Sequence, residues 1–445
     1  MSRLLLLLPA AGYANQDFID AAARLGVELV TCADYCHWLA PGWGLPPLMS
    51  VPFDQPDIAL PQVLAALGHA PHPNPDGTST HSTQPASGQV AAYLPLAGEG
   101  ANARPQPVNA VLAADDHGAA LAAQLRAALK LPGNPPAAVA RLTDKLHFRQ
   151  LQQAAGLLHP AFVAIRNDDA HTAAALGFPL VVKARRLNAS RGVIRADNAA
   201  QLSRAIGQVQ RIQSRAQRDA PTLGLLVERF IPGVEVALDG VLAHGKLSVL
   251  AVFDKPDPLD GPYFEETLYI TPSRLPDATQ AELAAAVQRA CDAAGVSEGA
   301  IHAEARINAA GVWLLEIAPR GIGGLCGRML TVTLGMGSAE IVLRHAAGLP
   351  LPSRTHADAA GAMMIPIPLR GILRGVDGVS AARELPHIVG IEITAQPGQV
   401  MAPPPEGAAY LGFIFSRADT PAAAEAALRA AHALLDIHIQ PLLEP

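Results

Sequence analysis

Two glutamates twelve positions apart, Glu304 and Glu316, sit in AIHAEARINAAGVWLLEIAPR, where alternating residues flank a small-residue turn at Ala309, Ala310 and Gly311. Such a segment reads as two strands joined tightly. If the three turn residues form a type I turn closed by a left-handed glycine, Asn308 faces Val312 and the register sets Glu304 directly opposite Glu316. Like charges opposed across a ladder destabilise it, so something positive is expected between them. A hard divalent cation shared by carboxylates and phosphate oxygens, the usual arrangement of Mg²⁺ beside a nucleotide, is the most economical occupant. The competing reading is a solvated hairpin with two independent acids, and a two-residue turn would move the register by one.

The 445 residues suit about three domains. Half of them are hydrophobic and only 4% aromatic, so the core must be largely aliphatic, as in α/β proteins. A formal net charge of −6 offers no basic field for nucleic acid and no polybasic patch for a membrane. Four cysteines are too few for a disulfide framework in so long a chain, which fits a reducing compartment and a cytoplasmic protein. Cys32, Cys36 and His37 suggest a metal cluster, but no second pair of matching ligands follows, so ligation there is not expected. The opening MSRLLLLLPAAGYA superficially resembles a signal peptide. Its leucine run is short and an amphipathic helix follows at once, so a buried first parallel strand explains it better.

Three domains are expected: an N-terminal α/β domain over 1–140, a central domain over 141–352 and a small C-terminal one over 353–445. Within the first, the Pro-, Gly-, Ser- and His-rich stretch 69–107 reads as a disordered insertion. Thr143 is expected to cap a helix from Asp144 to Ala155. LLVERFI, GVEVALDGVL and GKLSVLAVFD read as three strands of one antiparallel block, with turns at Pro232-Gly233 and His244-Gly245. A helix is expected over Cys326–Ala347.

Lys183 ends the apolar strand VVKA and precedes a small-residue loop, Asn188 to Gly192. A lysine on a rigid strand can pair with phosphate charge while loop N–H groups cradle the oxygens. It is not a P-loop, because the lysine comes first; a strand-end lysine is also a common solvent anchor. In VERFIPGVEVALDG, main-chain groups from Glu228 to Ile231 beside an apolar wall suit the edge and face of an adenine, and Glu235 suits ribose hydroxyls. Each fragment alone also reads as ordinary sheet.

Their order resembles the ATP-grasp superfamily of ligases, in its carboxylate–amine (L-amino acid or dipeptide) ligase-like branch. The residues carrying the resemblance are RLTDK with Lys145, GFPLVVKARRLNASRGV with Lys183, LLVERFIPGVEVALDG, AEARIN with Glu304, and LLEIAPRGIGG with Glu316 and Arg320. The resemblance implies an α/β (α+β) fold with an N-terminal pre-ATP-grasp domain, a two-lobed ATP-binding core and a small C-terminal α/β domain. It implies that Lys145 and Lys183 contact the α- and β-phosphates, and that Ser190, Arg191, Gly192 and Val193 close over the β- and γ-phosphates. Glu228, Arg229, Phe230 and Ile231 would form the adenine hinge, with Glu235 at the ribose. Glu304 and Glu316 would hold Mg²⁺, one or two ions, with Mn²⁺ as a substitute, and Arg320 would meet the γ-phosphate or an acylphosphate. Where many members have EINPR, this chain has EIAPR, so at Ala318 either water fills the ligand position or the second metal site is weakened.

The implied reaction is attack of a carboxylate on the γ-phosphate of ATP, then capture of the acylphosphate by an amine, with Lys183, Arg320 and Arg328 in catalytic positions. Arg328 is a candidate clamp for a substrate carboxylate, or else a helix-surface arginine. The loop FDKPDPLDGPYFEETLYITPS resembles the substrate-facing segment of dipeptide ligases, with Lys255, Glu265 and Glu266 at the pocket. Expected partners are small carboxylates and amines, neither nucleic acid nor membrane, with a homodimer among the assemblies allowed. Rival readings are a biotin-carboxylase-like or purine-pathway ligase, an ATP-binding protein weakened in turnover, and a glycosidase using the two glutamates.

Overall fold

The computed structural model describes residues 2–10, 12–34, 48–69, 107–166, 169–216, 223–351, 357–407 and 409–442. The expected insertion at 69–107 falls almost wholly outside the described residues, as do Cys36 and His37. The fold is mixed α/β, in two compact units: Met1–Pro136 with Val342–Pro350, and Ala137–Ile341 with Leu351–Pro445.

In the first unit β1 (Arg3–Leu8), β2 (Glu28–Asp34), β3 (Leu48–Val51) and β4 (Ala110–Ala113) form a parallel sheet in the order β3-β2-β1-β4. The opening leucine run is its central strand, and Leu4 to Leu7 are fully buried, as parallel strands require. Helices Asn15–Leu25 and Pro56–Ala66 connect strands, and helix Asp116–Ala128 follows β4. Asp115 caps the last by accepting from His117 N–H.

The second unit begins with a small antiparallel sheet of β5 (Phe162–Ile165), β6 (Leu180–Ala184), β7 (Val193–Ala196) and β8 (Leu225–Arg229), ordered β5-β8-β6-β7. Helix Ala199–Ala216 packs on it through Leu202, Ala205, Ile206 and Val209, a stripe at helical spacing. A larger sheet is built from β9 (Val234–Ala243), β10 (Lys246–Asp254), β11 (Leu268–Thr271), β12 (Gly299–Asn308), β13 (Gly311–Ala318) and β14 (Ala359–Ile365). Then come β15 (Gly371–Asp377), β16 (Ile388–Ile393), β17 (Val400–Met401), β18 (Gly412–Ala418) and β19 (Asp436–Pro441). The large sheet runs β13-β12-β9-β10-β11-β14-β18-β16, and β17-β15-β19 form a third.

Several expectations are corrected. The block Leu225–Asp254 is not one sheet: β8 lies in the small sheet, and β9 and β10 form a hairpin in the large one. Pro232-Gly233 carries the chain between sheets, with Gly233 at φ 130° so close to its neighbour that a Cβ would lie 2.3 Å from the Ile307 carbonyl oxygen. Asp144, not Thr143, caps helix Lys145–Ala154, because Thr143 ends a preceding helix, Pro136–Thr143. The stretch Cys326–Ala347 is a 3₁₀ turn, a short helix Leu330–Leu334 stopped by left-handed Gly335, and a separate helix Ser338–Ala346.

The carboxylate hairpin keeps its predicted pairing by a different route. Its turn has two residues, so Asn308 faces Gly311 and not Val312, yet Glu304 still opposes Glu316. A bulge at Leu315 supplies the extra residue on β13 and restores the register. On one face of β12, Ile301, Ala303 and Ala305 pack with Leu283, Val287 and Ala290 of helix Asp277–Ala294. Strand alternation therefore turns His302, Glu304 and Arg306 to the other face.

Candidate functional site

The site is built on that polar face and on the end of β6. Asp144 begins it. Its carboxylate accepts from Leu146 N–H and from Arg185 Nε and Nη2 at 2.9 and 2.7 Å, and Arg186 Nε lies 3.1 Å away. This ties the start of helix Lys145–Ala154 to the end of β6 and aims Lys145. The Lys145 ammonium donates to the Leu187 carbonyl at 2.6 Å and stands 3.2 Å from Glu316 Oε2.

Lys183, on β6, lies 2.6 Å from Glu228 Oε1 on β8, and Arg149 donates to both oxygens of Glu228 at 2.7 and 3.1 Å. All three side chains are buried. Burial alone would raise the Glu228 carboxyl, but Arg149 and Lys183 outweigh it and hold it down to about 2. Burial lowers the Lys183 ammonium despite Glu228. Arg149 also reaches Gln152 and the Leu314 carbonyl, so this group leans on β13. The Glu228 carboxylate is thus committed to cations. Of the hinge donors, Arg229 N–H goes to the Ala161 carbonyl and Phe230 N–H to that of Pro179. The guanidiniums of Arg195 and Arg306 lie 4.3 and 4.7 Å from the centre of the Phe230 ring.

The loop over 188–193 is wound tightly, with Ala189 and Ser190 at φ 51° and 53° and Gly192 at 66°. Its N–H groups are not presented as the expected phosphate cradle: Arg191, Gly192 and Val193 donate to the carbonyls of Asn188, Pro405 and Ser190. The Arg191 guanidinium is half-buried and its Nε has no hydrogen-bond partner among the described residues.

On the polar face of the large sheet the balance of charge reverses. Lys255 is buried, 3.0 Å from Glu235, 2.7 Å from Glu266 and 3.4 Å from Glu304. The Glu235 carboxylate, expected at a ribose, is held by Lys255 and by Arg306 Nε at 2.9 Å. Tyr269 OH donates to Glu266 at 2.8 Å. Burial and the neighbouring Glu304 charge raise Glu266 to about 7, against Lys255. For Glu304, Lys255 and His302 outweigh burial and hold the carboxyl well below its ordinary range. Oxygens of Glu235, Glu266 and Glu304 all lie within 4.8 Å of one another, with the lysine among them. Glu265 stays apart; burial raises its carboxyl, which accepts from Ile367 N–H. Arg320 donates to the Gly321 carbonyl at 2.7 Å. Arg328, expected as a substrate clamp, is ion-paired with Glu392 and lies 6.0 Å from the centre of the Phe415 ring.

Among the participants not foreseen are Arg149, Arg306, Tyr269, His302 and Asp239. His302 stands two residues before Glu304 on the same strand, and that spacing alone puts both on one face. Arg149 gave no signal, because on an amphipathic helix it reads as a solvent-facing residue.

Residues 176–329 match the family model described as ATP-grasp domain, and 363–440 match L-amino acid ligase C-terminal domain 2. Carnosine synthase 1 of Gallus gallus is 33% identical over 281 residues, 59% of this chain and 30% of that protein. N5-carboxyaminoimidazole ribonucleotide synthase of Synechococcus elongatus is 31% identical over 236 residues, 52% of this chain and 55% of that protein. The chain thus spans about a third to about half of the length of these curated relatives. The crystal structure of L-amino acid ligase from Bacillus licheniformis superposes with a TM-score of 0.74 at 22% identity, covering 99% of each chain, a likeness of fold. No helix among the described residues is long and apolar enough to cross a membrane.

Proposed function

We propose that this chain, which carries an ATP-grasp domain followed by an L-amino acid ligase C-terminal domain, is an ATP-dependent ligase joining a carboxylate to an amine, with amino acids as both substrates. One observation carries the reading: Glu304 and Glu316 oppose each other across the hairpin, with Lys255 and Lys145 at 3.4 and 3.2 Å on either side. Two carboxylates at a phosphate-binding lysine form a hard-oxygen donor set that fits Mg²⁺, one or two ions, with Mn²⁺ as a substitute. Bound there, the metal would neutralise charge on the phosphates of ATP.

The protein's own residues do the rest. Lys145, Lys183 and Arg191 bind the phosphates, and Phe230 with Ile231 lines the base. The substrate carboxylate oxygen attacks the γ-phosphorus, the bond to ADP breaks, and Arg320 binds the resulting acylphosphate. The amine nitrogen then attacks the acyl carbon and phosphate leaves. Glu266, in a carboxylate-rich surrounding, first binds the amino acid's ammonium, which gives up a proton to become the amine that attacks. Arg328 can clamp a carboxylate only by leaving Glu392. The C-terminal match supports an amino acid ligase over a purine-pathway or carboxylase reading. The reading includes a cytoplasmic location, where ATP and amino acids are supplied.

The test is phosphate release by the purified protein with Mg²⁺ and ATP, given amino acids singly and in pairs, with mass spectrometry of the products. Pair-dependent release with a product equal to the two acids minus water is expected. Binding of ATP without stimulation by any pair would overturn the assignment of amino acids as substrates.

A further inference from the structure

Asp239 on β9 is 1% exposed and uses both carboxylate oxygens. Oδ1 lies 2.7 Å from His302 Nδ1, and Oδ2 accepts from Ile322 N–H at 3.1 Å. His302, 4% exposed, sits directly beside Asp239 in the β9–β12 ladder, and its Nε2 lies 3.5 Å from Glu304 Oε1. One buried carboxylate therefore ties together a histidine that abuts Glu304 and the turn that follows Arg320. On the other side of His302 in the ladder stands Ala318, which has no donor atom, so β13 offers nothing at that level to stand in for a misplaced Glu304.

A glutamate has three rotatable side-chain bonds, and a carboxylate meant for a cation gains by being held before the cation arrives. We infer that Asp239 and His302 are positioning residues: His302 orients Glu304 toward the cation site, and Asp239 fixes His302 and the 320–322 turn at once. This coupling sets the spacing between the cation carboxylate and Arg320. The inference rests on the reading of Glu304 as a cation ligand.

Two isosteres separate positioning from packing. In His302→Asn the amide nitrogen can take the place of Nδ1 and keep the bond to Asp239, but it cannot reach Glu304. In His302→Gln the longer amide reaches the place of Nε2. The experiment measures Mn²⁺ binding in the presence of ADP by electron paramagnetic resonance, with thermal unfolding alongside. Expected are melting of His302→Asn close to that of the unsubstituted protein, Mn²⁺ affinity weakened about 10–100-fold, and partial recovery of that loss in His302→Gln, which regains the contact with Glu304 but not the one with Asp239. Unchanged Mn²⁺ affinity in a folded His302→Asn, or His302→Gln poorer than His302→Asn in both readouts, would overturn the inference. If His302→Asn does not fold, Asp239→Asn carries the test: it touches no ligand and must still weaken Mn²⁺ binding, and normal binding there would overturn the inference equally. Failure of the unsubstituted protein to bind Mn²⁺ with ADP would instead remove the nucleotide–metal reading itself, and this inference with it.

Discussion

The two buried charge clusters of the proposed site are built in opposite senses. Around Glu228, one carboxylate serves two cations, Arg149 and Lys183. Around Lys255, the carboxylates of Glu235, Glu266 and Glu304 surround one lysine, with Arg306 and His302 at the edges. A buried group of charges is stable only when nearly balanced, so an excess of either sign is held against the cost of burial. The first cluster is left wanting negative charge; in the second, once Asp239 beside His302 is counted, four carboxylates meet three cations, so it wants positive charge. Under the proposed function, substrate binding would complete both balances.

The comparison breaks most visibly in stability. Glu228→Gln leaves two buried cations without a counter-charge and is expected to cost about 3–5 kcal/mol in urea unfolding. Glu304→Gln leaves Lys255 matched by Glu235 and Glu266 and is expected to cost less than Glu228→Gln. Equal losses would show that the two clusters do not differ in residual charge. Next in size, Glu316→Gln should lower Mg²⁺-dependent ATP turnover about 10²–10³-fold, read by steady-state phosphate release, with little change in melting.

Acid titration sharpens the same contrast. With Glu228 held at about 2 in the fold and near 4.5 when free, the unfolded chain binds the proton first as pH falls. The stabilisation is fully present above about pH 4.5 and is lost as pH falls through 2, on the order of 3 kcal/mol. Unfolding free energies measured across that range should slope upward with pH, and Glu228→Gln should flatten that part of the curve. Lys183→Met leaves Glu228 matched one to one by Arg149. It should raise the Kd for ATP about 10–150-fold by calorimetry, the worth of a charged hydrogen bond. Smallest is Asn308→Ala at the hairpin tip, where the side chain accepts from Ala310 N–H and Trp313 Nε1 and donates to the Pro232 carbonyl. It should cost about 1 kcal/mol of stability and leave kcat/KM unchanged.

Legibility followed the kind of physics involved. The parallel opening strand was readable because burial decides it locally, whereas the pairing of Glu304 with Glu316 came out as expected only because the bulge at Leu315 offsets the shorter turn. The separation of β8 from β9 was not readable, since a Pro-Gly pair signals a reversal equally well when the chain in fact crosses to another sheet. The partners of Glu228 and Glu235 were hidden for a different reason. Arg149 lies 79 positions from Glu228, and Arg306 lies 71 from Glu235. Nothing within either local stretch tells an acid that will meet a nucleotide from one that will meet an arginine. The partner of Gly192 N–H was hidden likewise, because the Pro405 carbonyl comes from more than two hundred residues away.

The bulge at Leu315 makes hairpin length a question of parity. The same eleven residues between Glu304 and Glu316 fit either a three-residue turn with an even ladder or a two-residue turn with one residue set aside, and both end with the carboxylates face to face. A deletion that removes Leu315 subtracts the spare and keeps the pair, whereas a single insertion in either arm breaks it unless a second change compensates. Length changes in this hairpin should therefore be tolerated or ruinous according to where they fall, not how many residues they involve.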